Sequence, residues 1–209
     1  MTFYGQFNPP VDKFLYERYF LNKKNGIAIE CGAFDGQIES SCKFFEETMG
    51  WKVINIEASP PNYKKLIINR PNSINLDVAL SDSIGITKFT HVISPECGEN
   101  FGNGSILHSD VHKKQLINDG CKFVNYEVKT TTYTEMIKTV GLTELDLMVL
   151  DVEGYEGTVI KGMIGCPVLP KILCIEHGHL GIEKTKELVS KLPYIYDTSL
   201  VINSYYKRI

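Results

Sequence analysis

Acidic residues in this chain recur where short apolar runs end. Glu30 follows Ile27, Ala28 and Ile29, Glu57 closes Lys52–Glu57, and Asp77 lies near the end of 73–79. Asp151 and Glu153 end the run 146–151, and Glu176 with His177 ends 171–177. The interiors of these runs are nearly free of charge, so the terminal acids are not ordinary surface polarity. Runs of this kind read as strands of an open α/β sheet, which receives ligands beyond the carboxyl ends of its strands. Behind Glu30 stand Cys31, Gly32, Ala33, Phe34, Asp35 and Gly36, a turn with glycines four apart. This is not the G-x-G-x-x-G of a dinucleotide fold, whose crowded amides grip a pyrophosphate at a helix start. Carboxylates suit a different ligand, one with an amino group, a positive centre and a ribose diol.

S-adenosylmethionine is such a ligand, and each candidate takes a role toward it. Glu30, Gly32, Ala33, Asp35 and Gly36 form the holding turn. Glu57, with Ala58 beside it, lies roughly twenty residues further on, where an acid accepts both ribose hydroxyls. Asp77 and Ala79 border the adenine slot, with a cap toward Ser81 and Asp82 as the other reading of Asp77. Tyr4 and Gln6 would close the pocket from the N-terminal side.

Methyl transfer to an alcohol also requires that the hydroxyl proton leave. His177 is the first candidate base, since its neutral form exists near pH 7. Asp151 and Glu153 are alternative bases, metal ligands or acceptors for the ligand's amine. Asp151, Glu176 and His177, with His179 as a further ligand, would form an oxygen-rich Mg²⁺ site if the acceptor is a vicinal diol. His108 and His112, four apart, lack a third partner in sequence and read as a solvated helix. In the loop 94–107, Phe101, Gly102, Asn103, Gly104, Ser105 and Leu107 would form a lid over the acceptor. Tyr155, Tyr205 and Tyr206 read as packing residues.

Elements must place these side chains. The spacing over 11–21, behind Pro9 and Pro10, predicts a helix, as does 40–49, closed by Gly50. Strand-type runs at 52–57, 73–79, 146–151 and 171–177 alternate with helical stretches at 61–69, 132–140, 154–162 and 182–192. That alternation predicts a mostly parallel sheet covered by helices on both faces. The segments 86–92 and 123–130 predict two antiparallel strands without a helix between them, within a β-rich insertion at 86–130. The stretches 194–197 and 200–207 predict a closing antiparallel hairpin. Residues 1–26 form a helical lead-in, and residues 1–209 form one domain.

The 209 residues are 43% hydrophobic and 22% charged, enough for one buried core. A net charge of -3 offers no broad basic surface for nucleic acid. The six cysteines, at 31, 42, 97, 121, 166 and 174, show no C-x-x-C pair and read as reduced, buried thiols. The start lacks a signal-like pattern, and no run approaches a membrane span, so the expectation is a soluble cytoplasmic protein without membrane contact.

Several segments together resemble the FkbM family of S-adenosylmethionine-dependent methyltransferases. They are 30–36, 55–60 (Asn, Ile, Glu57, Ala, Ser, Pro), 78–82, and 150–156 (Leu, Asp151, Val, Glu153, Gly, Tyr, Glu156) followed by Ile160, Lys161 and Gly162. Tyr4, Gly5, Gln6 and the helix at 12–20 also resemble that family's start. The resemblance implies a Rossmann-like class I methyltransferase with a seven-stranded sheet and a last antiparallel hairpin. It also implies methylation of a hydroxyl on a sugar, polyketide or similar small metabolite. Cys31 and the bulky Phe34 depart from the family's pattern without removing an acid. Two rival readings are a nicotinamide-dependent oxidoreductase, which shares the Glu57 logic but lacks the phosphate loop, and a non-catalytic cofactor-binding module.

Overall fold

The computed structural model describes residues 1–209. Strands β1 (Ile27–Cys31), β2 (Lys52–Glu57), β3 (Ile74–Asp77), β7 (Leu147–Leu150), β8 (Ile172–Glu176), β9 (Tyr194–Leu200) and β10 (Asn203–Arg208) form one sheet, ordered β3-β2-β1-β7-β8-β10-β9. β10 runs antiparallel to both neighbours, and the other pairings are parallel. The hairpin expected at the C-terminus is therefore present, with its second strand inserted beside β8 and its first strand at the edge. Strand order reverses between β1 and β7, which opens the crevice at their carboxyl ends.

Alternating side chains explain why both faces are covered. Ile29, Ile54, Met148 and Leu173 pack with residues of α5 (Tyr133–Val140), α6 (Glu156–Met163) and α7 (Ile182–Val189). Their neighbours Ala28, Val53, Leu147 and Cys174 face α1 (Val11–Tyr19) and α2 (Lys43–Met49), where Leu15, Phe44 and Phe45 are fully buried. A period of two with both sets apolar is what a doubly covered strand requires. α2 stops at Gly50, whose φ of 69° gives the left-handed cap. α3 (Pro60–Asn69) starts with prolines in its first turn.

Two features differ from the sequence-based expectation. The run 73–79 is not one strand: β3 ends at Asp77, and β4 (Ala79–Ser81) leaves for a second sheet ordered β4-β6-β5, with β5 at Gly85–Ile93 and β6 at Lys122–Thr132. β5 and β6 pair antiparallel as expected. A helix does lie between them, α4 (Asp110–Asn118), started by Ser109, whose Oγ accepts the His112 amide at 3.1 Å. Of its residues only His112 and Leu116 are buried while Val111 and Ile117 are exposed, so its apolar residues do not mark the packed face, and His112 is not solvated.

The lead-in is fixed by Asp12, fully buried, whose carboxylate accepts the amides of Tyr4 at 2.7 Å and Gly5 at 3.1 Å. All six cysteines are free; Cys31, Cys42, Cys166 and Cys174 are buried, Cys97 is exposed and Cys121 half-buried. No helix is long and apolar enough to cross a membrane.

Candidate active site

A cavity of about 340 Å³ opens at the strand-order reversal. Its floor is the turn after β1. The registers Cys31↔Ile56 and Cys31↔Leu150 set three strand ends side by side, so Gly32 meets Asp151. A Cβ on Gly32, at φ 87°, would lie 1.7 Å from the Asp151 carbonyl oxygen. Only glycine fits there. The amides of Gly32 and Ala33 donate to the Ile56 carbonyl at 3.0 and 3.1 Å, which ties the turn to β2.

Glu57 grips the same turn. Its Oε2 accepts the Phe34 amide at 2.8 Å and its Oε1 the Ser59 amide at 2.7 Å. Burial pushes its carboxyl up to about 7, against those amide bonds and with Asp77 adding repulsion. Glu30 also lines the cavity, but its carboxylate is spent inside the protein. It accepts from Ser40 Oγ at 2.7 Å and from the amides of Ser41 and Cys42 ahead of α2, with Arg70 Nη1 at 3.9 Å. Burial raises its pKa, and Arg70 opposes the rise.

Of the expected ligand-holding residues, Gln6, Glu30, Gly32, Ala33, Glu57, Ala58 and Ala79 line the cavity, and Asp35, Gly36 and Asp77 do not. Asp35 turns back on its own loop, where its Oδ1 accepts the amides of Gln37 and Ile38, both at 2.8 Å. Gly36 packs beneath α3, where a Cβ would meet Leu66 at 2.5 Å. Asp77 is exposed at the end of β3. Tyr4 is also outside; its hydroxyl donates to Glu47 at 2.7 Å.

Asp151 and Glu153 enter the cavity from the segment after β7. Glu153, at φ 55°, and Gly154, at φ 99°, are both left-handed, an uncommon conformation for glutamate that turns the chain sharply here. Glu153 Oε2 lies 2.6 Å from His179 Nε2, and this contact holds the imidazole pKa above its usual value. The His112 ring stacks on His179 with centroids 4.1 Å apart, and its Nε2 reaches Asn103 Oδ1 at 3.1 Å. Burial, and then the neighbouring His179, lowers the His112 pKa, and its Nε2, facing an amide oxygen, is the donor.

His177 is elsewhere. Its Nδ1 bonds Ser204 Oγ on β10 at 2.8 Å, it does not line the cavity, and burial lowers its pKa. The expected trio of Asp151, Glu176 and His177 is therefore not assembled. Asp151 and Glu176 meet Glu156 instead, with one oxygen of each within 4.8 Å of the others. Glu156 stood in the sequence within the 150–156 segment, but its position at the start of α6 gave no sign that it turns back toward β8. His179 is the residue that reaches the cavity wall through Glu153.

The loop 94–107 covers one side. Phe101, Gly102, Asn103 and Gly104 line the cavity, and the loop is tied to β5 by Thr90 and Ser105, which exchange amide bonds at 2.9 and 3.0 Å. Ala79, Leu80, Phe89 and Ile106 add an apolar wall. Asn62, also lining, buries its Oδ1 without a partner, an acceptor left for a ligand's donor.

The family model of the methyltransferase FkbM domain matches residues 30–196. No curated protein matches the sequence. Among solved structures, methyltransferase FkbM from Methylobacillus flagellatus KT is similar with a TM-score of 0.54 and 15% identity, over 94% of this chain and 47% of its own. This chain thus spans about half the length of that structure. Aeropyrum pernix fibrillarin, solved with natively bound S-adenosyl-L-methionine, has a TM-score of 0.51 and 8% identity, over 93% of this chain and 72% of its own. At such identities the likeness is one of fold, the class I methyltransferase fold.

Proposed function

Because the chain belongs to the methyltransferase FkbM domain family, we propose that it moves a methyl group from S-adenosylmethionine to a hydroxyl oxygen of a small metabolite or glycan. The observation that carries this reading is the cavity itself, where Glu57, Asp151 and Glu153 surround a glycine turn pressed against the Asp151 carbonyl. Carboxylates without a phosphate cradle suit a cationic nucleoside with a free diol. Glu57 is the group to meet the ribose, the Ala79 and Leu80 wall the adenine, and Asp151 the amino end. The buried Oδ1 of Asn62 fits such a ligand as an unclaimed acceptor.

When bound, S-adenosylmethionine supplies an electrophilic methyl group. The chain's own work is to align the acceptor, exclude water and take a proton. Glu153 faces the cavity and accepts the hydroxyl proton, which His179 Nε2 shares across their 2.6 Å contact. Asn103, steadied by His112, and Gln6 offer polar contacts for a hydroxylated acceptor. The loop 94–107 shields the acceptor side.

The test is incubation with isotope-labelled methyl donor and a panel of sugars and polyketide alcohols, followed by mass spectrometry of the products. Label on an oxygen of one acceptor class is expected. Transfer only to nitrogen or carbon acceptors would refute oxygen as the target.

A further inference from the structure

Asp151, Glu156 and Glu176 converge at the carboxyl ends of β7 and β8 and the start of α6, with one oxygen of each inside a 4.8 Å circle. Like charges this close, two of them buried, either take up protons or need a cation to compensate them. Elsewhere the fold provides partners for its buried acids. Glu30 has Arg70, and Asp146 has Lys23 and Lys171. Glu57 and Asp12 engage each oxygen with at least one amide donor. None of the three clustered acids forms an ion pair with lysine or arginine.

The cluster is also half-satisfied in a consistent way. Glu156 Oε1 accepts the amides of Val152 at 3.0 Å and Gly154 at 3.1 Å, and Glu176 Oε1 accepts that of Gly178 at 2.5 Å. The other oxygen of each, Oε2, is buried without any partner, although Glu156 is 0% and Glu176 4% exposed. Among all carboxylates of the chain, only these two leave a buried oxygen unpartnered. One oxygen of each is thus anchored by backbone while the second stays free. Asp151 reaches the cavity from the same cluster.

We propose that Asp151, Glu156 and Glu176 bind one divalent cation of the hard, oxygen-seeking class. Three carboxylates with neither histidine nor cysteine select Mg²⁺, Mn²⁺ or Ca²⁺ over zinc or copper. Oxygens around such an ion lie up to roughly 4–5 Å apart, the span observed here. The second metal-like trio, His112, Glu153 and His179, is a poorer candidate. Its two rings stack at 20° and 4.1 Å, and a hydrogen bond already occupies His179 Nε2. Of the three ligands Asp151 also lines the cavity, so an acceptor hydroxyl there would complete the ion's shell. That last role rests on the proposed methyl transfer; the binding of the ion does not.

The experiment uses the full chain freed of metal with EDTA and follows loss of the free Mn²⁺ electron-paramagnetic signal. One Mn²⁺ per chain, displaced by Mg²⁺ or Ca²⁺, is expected. Glu156→Gln and Glu176→Gln should each weaken it by at least about tenfold. S-adenosylhomocysteine titration on the same samples reports separately on the nucleoside site. Wild-type protein that takes up no stoichiometric Mn²⁺ while binding the thioether would overturn the ion site and leave the methyltransferase reading standing. Mn²⁺ uptake unchanged in both variants would overturn it too, since the ion would then lie elsewhere.

Discussion

Glu153 and His179, 26 positions apart in sequence, meet at 2.6 Å, with the carboxylate on the cavity wall and the imidazole behind it against His112. The contact joins the segment after β7 to the loop after β8, so the proton acceptor is assembled across two strand ends. Its position depends on the left-handed turn at Glu153 and Gly154.

This pair gives the pH dependence a definite sign. Glu153 raises the His179 pKa, so His179 keeps its proton to a higher pH than a free histidine, and the pair accepts the acceptor's proton only after losing it. The rate should climb with pH through a midpoint above the ordinary histidine value of 6.5. Glu153→Gln should return that midpoint downward and lower the rate by about 10²–10⁴-fold, the usual weight of a general base. His177→Ala, which alters a bond to Ser204, should leave the profile in place. Rate profiles of the three proteins check this.

Glu57 links the cavity to stability. Its folded pKa of about 7 exceeds the ordinary 4.5, so the folded state holds that proton more tightly over the interval. The contribution is fully present below pH 4.5 and is lost as pH rises through about 7. At ~1.4 kcal/mol per unit, the loss is on the order of 3 kcal/mol. Glu57→Gln costs stability at every pH, because its amide faces two amide donors, but the slope between those values should flatten. Urea unfolding across the pH range measures it. An equally steep slope in the variant would assign the titration to another group.

Gly32 is the tightest point of the site. Alanine there would combine a φ of 87° with a 1.7 Å overlap on the Asp151 carbonyl oxygen. We expect a loss of more than about 3 kcal/mol and a Tm lower by roughly 6–12 °C. Gly85→Ala, whose Cβ would meet only Thr130 Oγ1 at 3.8 Å, should change stability by less than about 0.5 kcal/mol. Thermal melts of both variants separate a required glycine from a permissive one.

The frame was legible because it follows from periodicity. β2 and the cap of α2 at Gly50 lie where their residue patterns predict. The course of 78–81 was not legible, because nothing in Val78 or Ala79 signals that one extended run changes sheets there. His177 stands apart from Glu176 for a simple geometric reason. Adjacent strand residues point to opposite faces. Glu176 and His177 therefore could not share one cluster; the first enters the acidic group and the second meets Ser204. His179, beyond the turn at Gly178, comes back over Glu153. Asp35 shows the same lesson in a loop, since an aspartate two and three residues before free amides binds them first.

The most direct test of the account is calorimetric titration of S-adenosylhomocysteine into the wild-type chain and into Glu57→Gln, with NAD in a parallel cell. One thioether bound per chain, weakened by the substitution, and no heat from NAD are expected. Tight NAD binding without the thioether, or thioether affinity indifferent to Glu57, would contradict it.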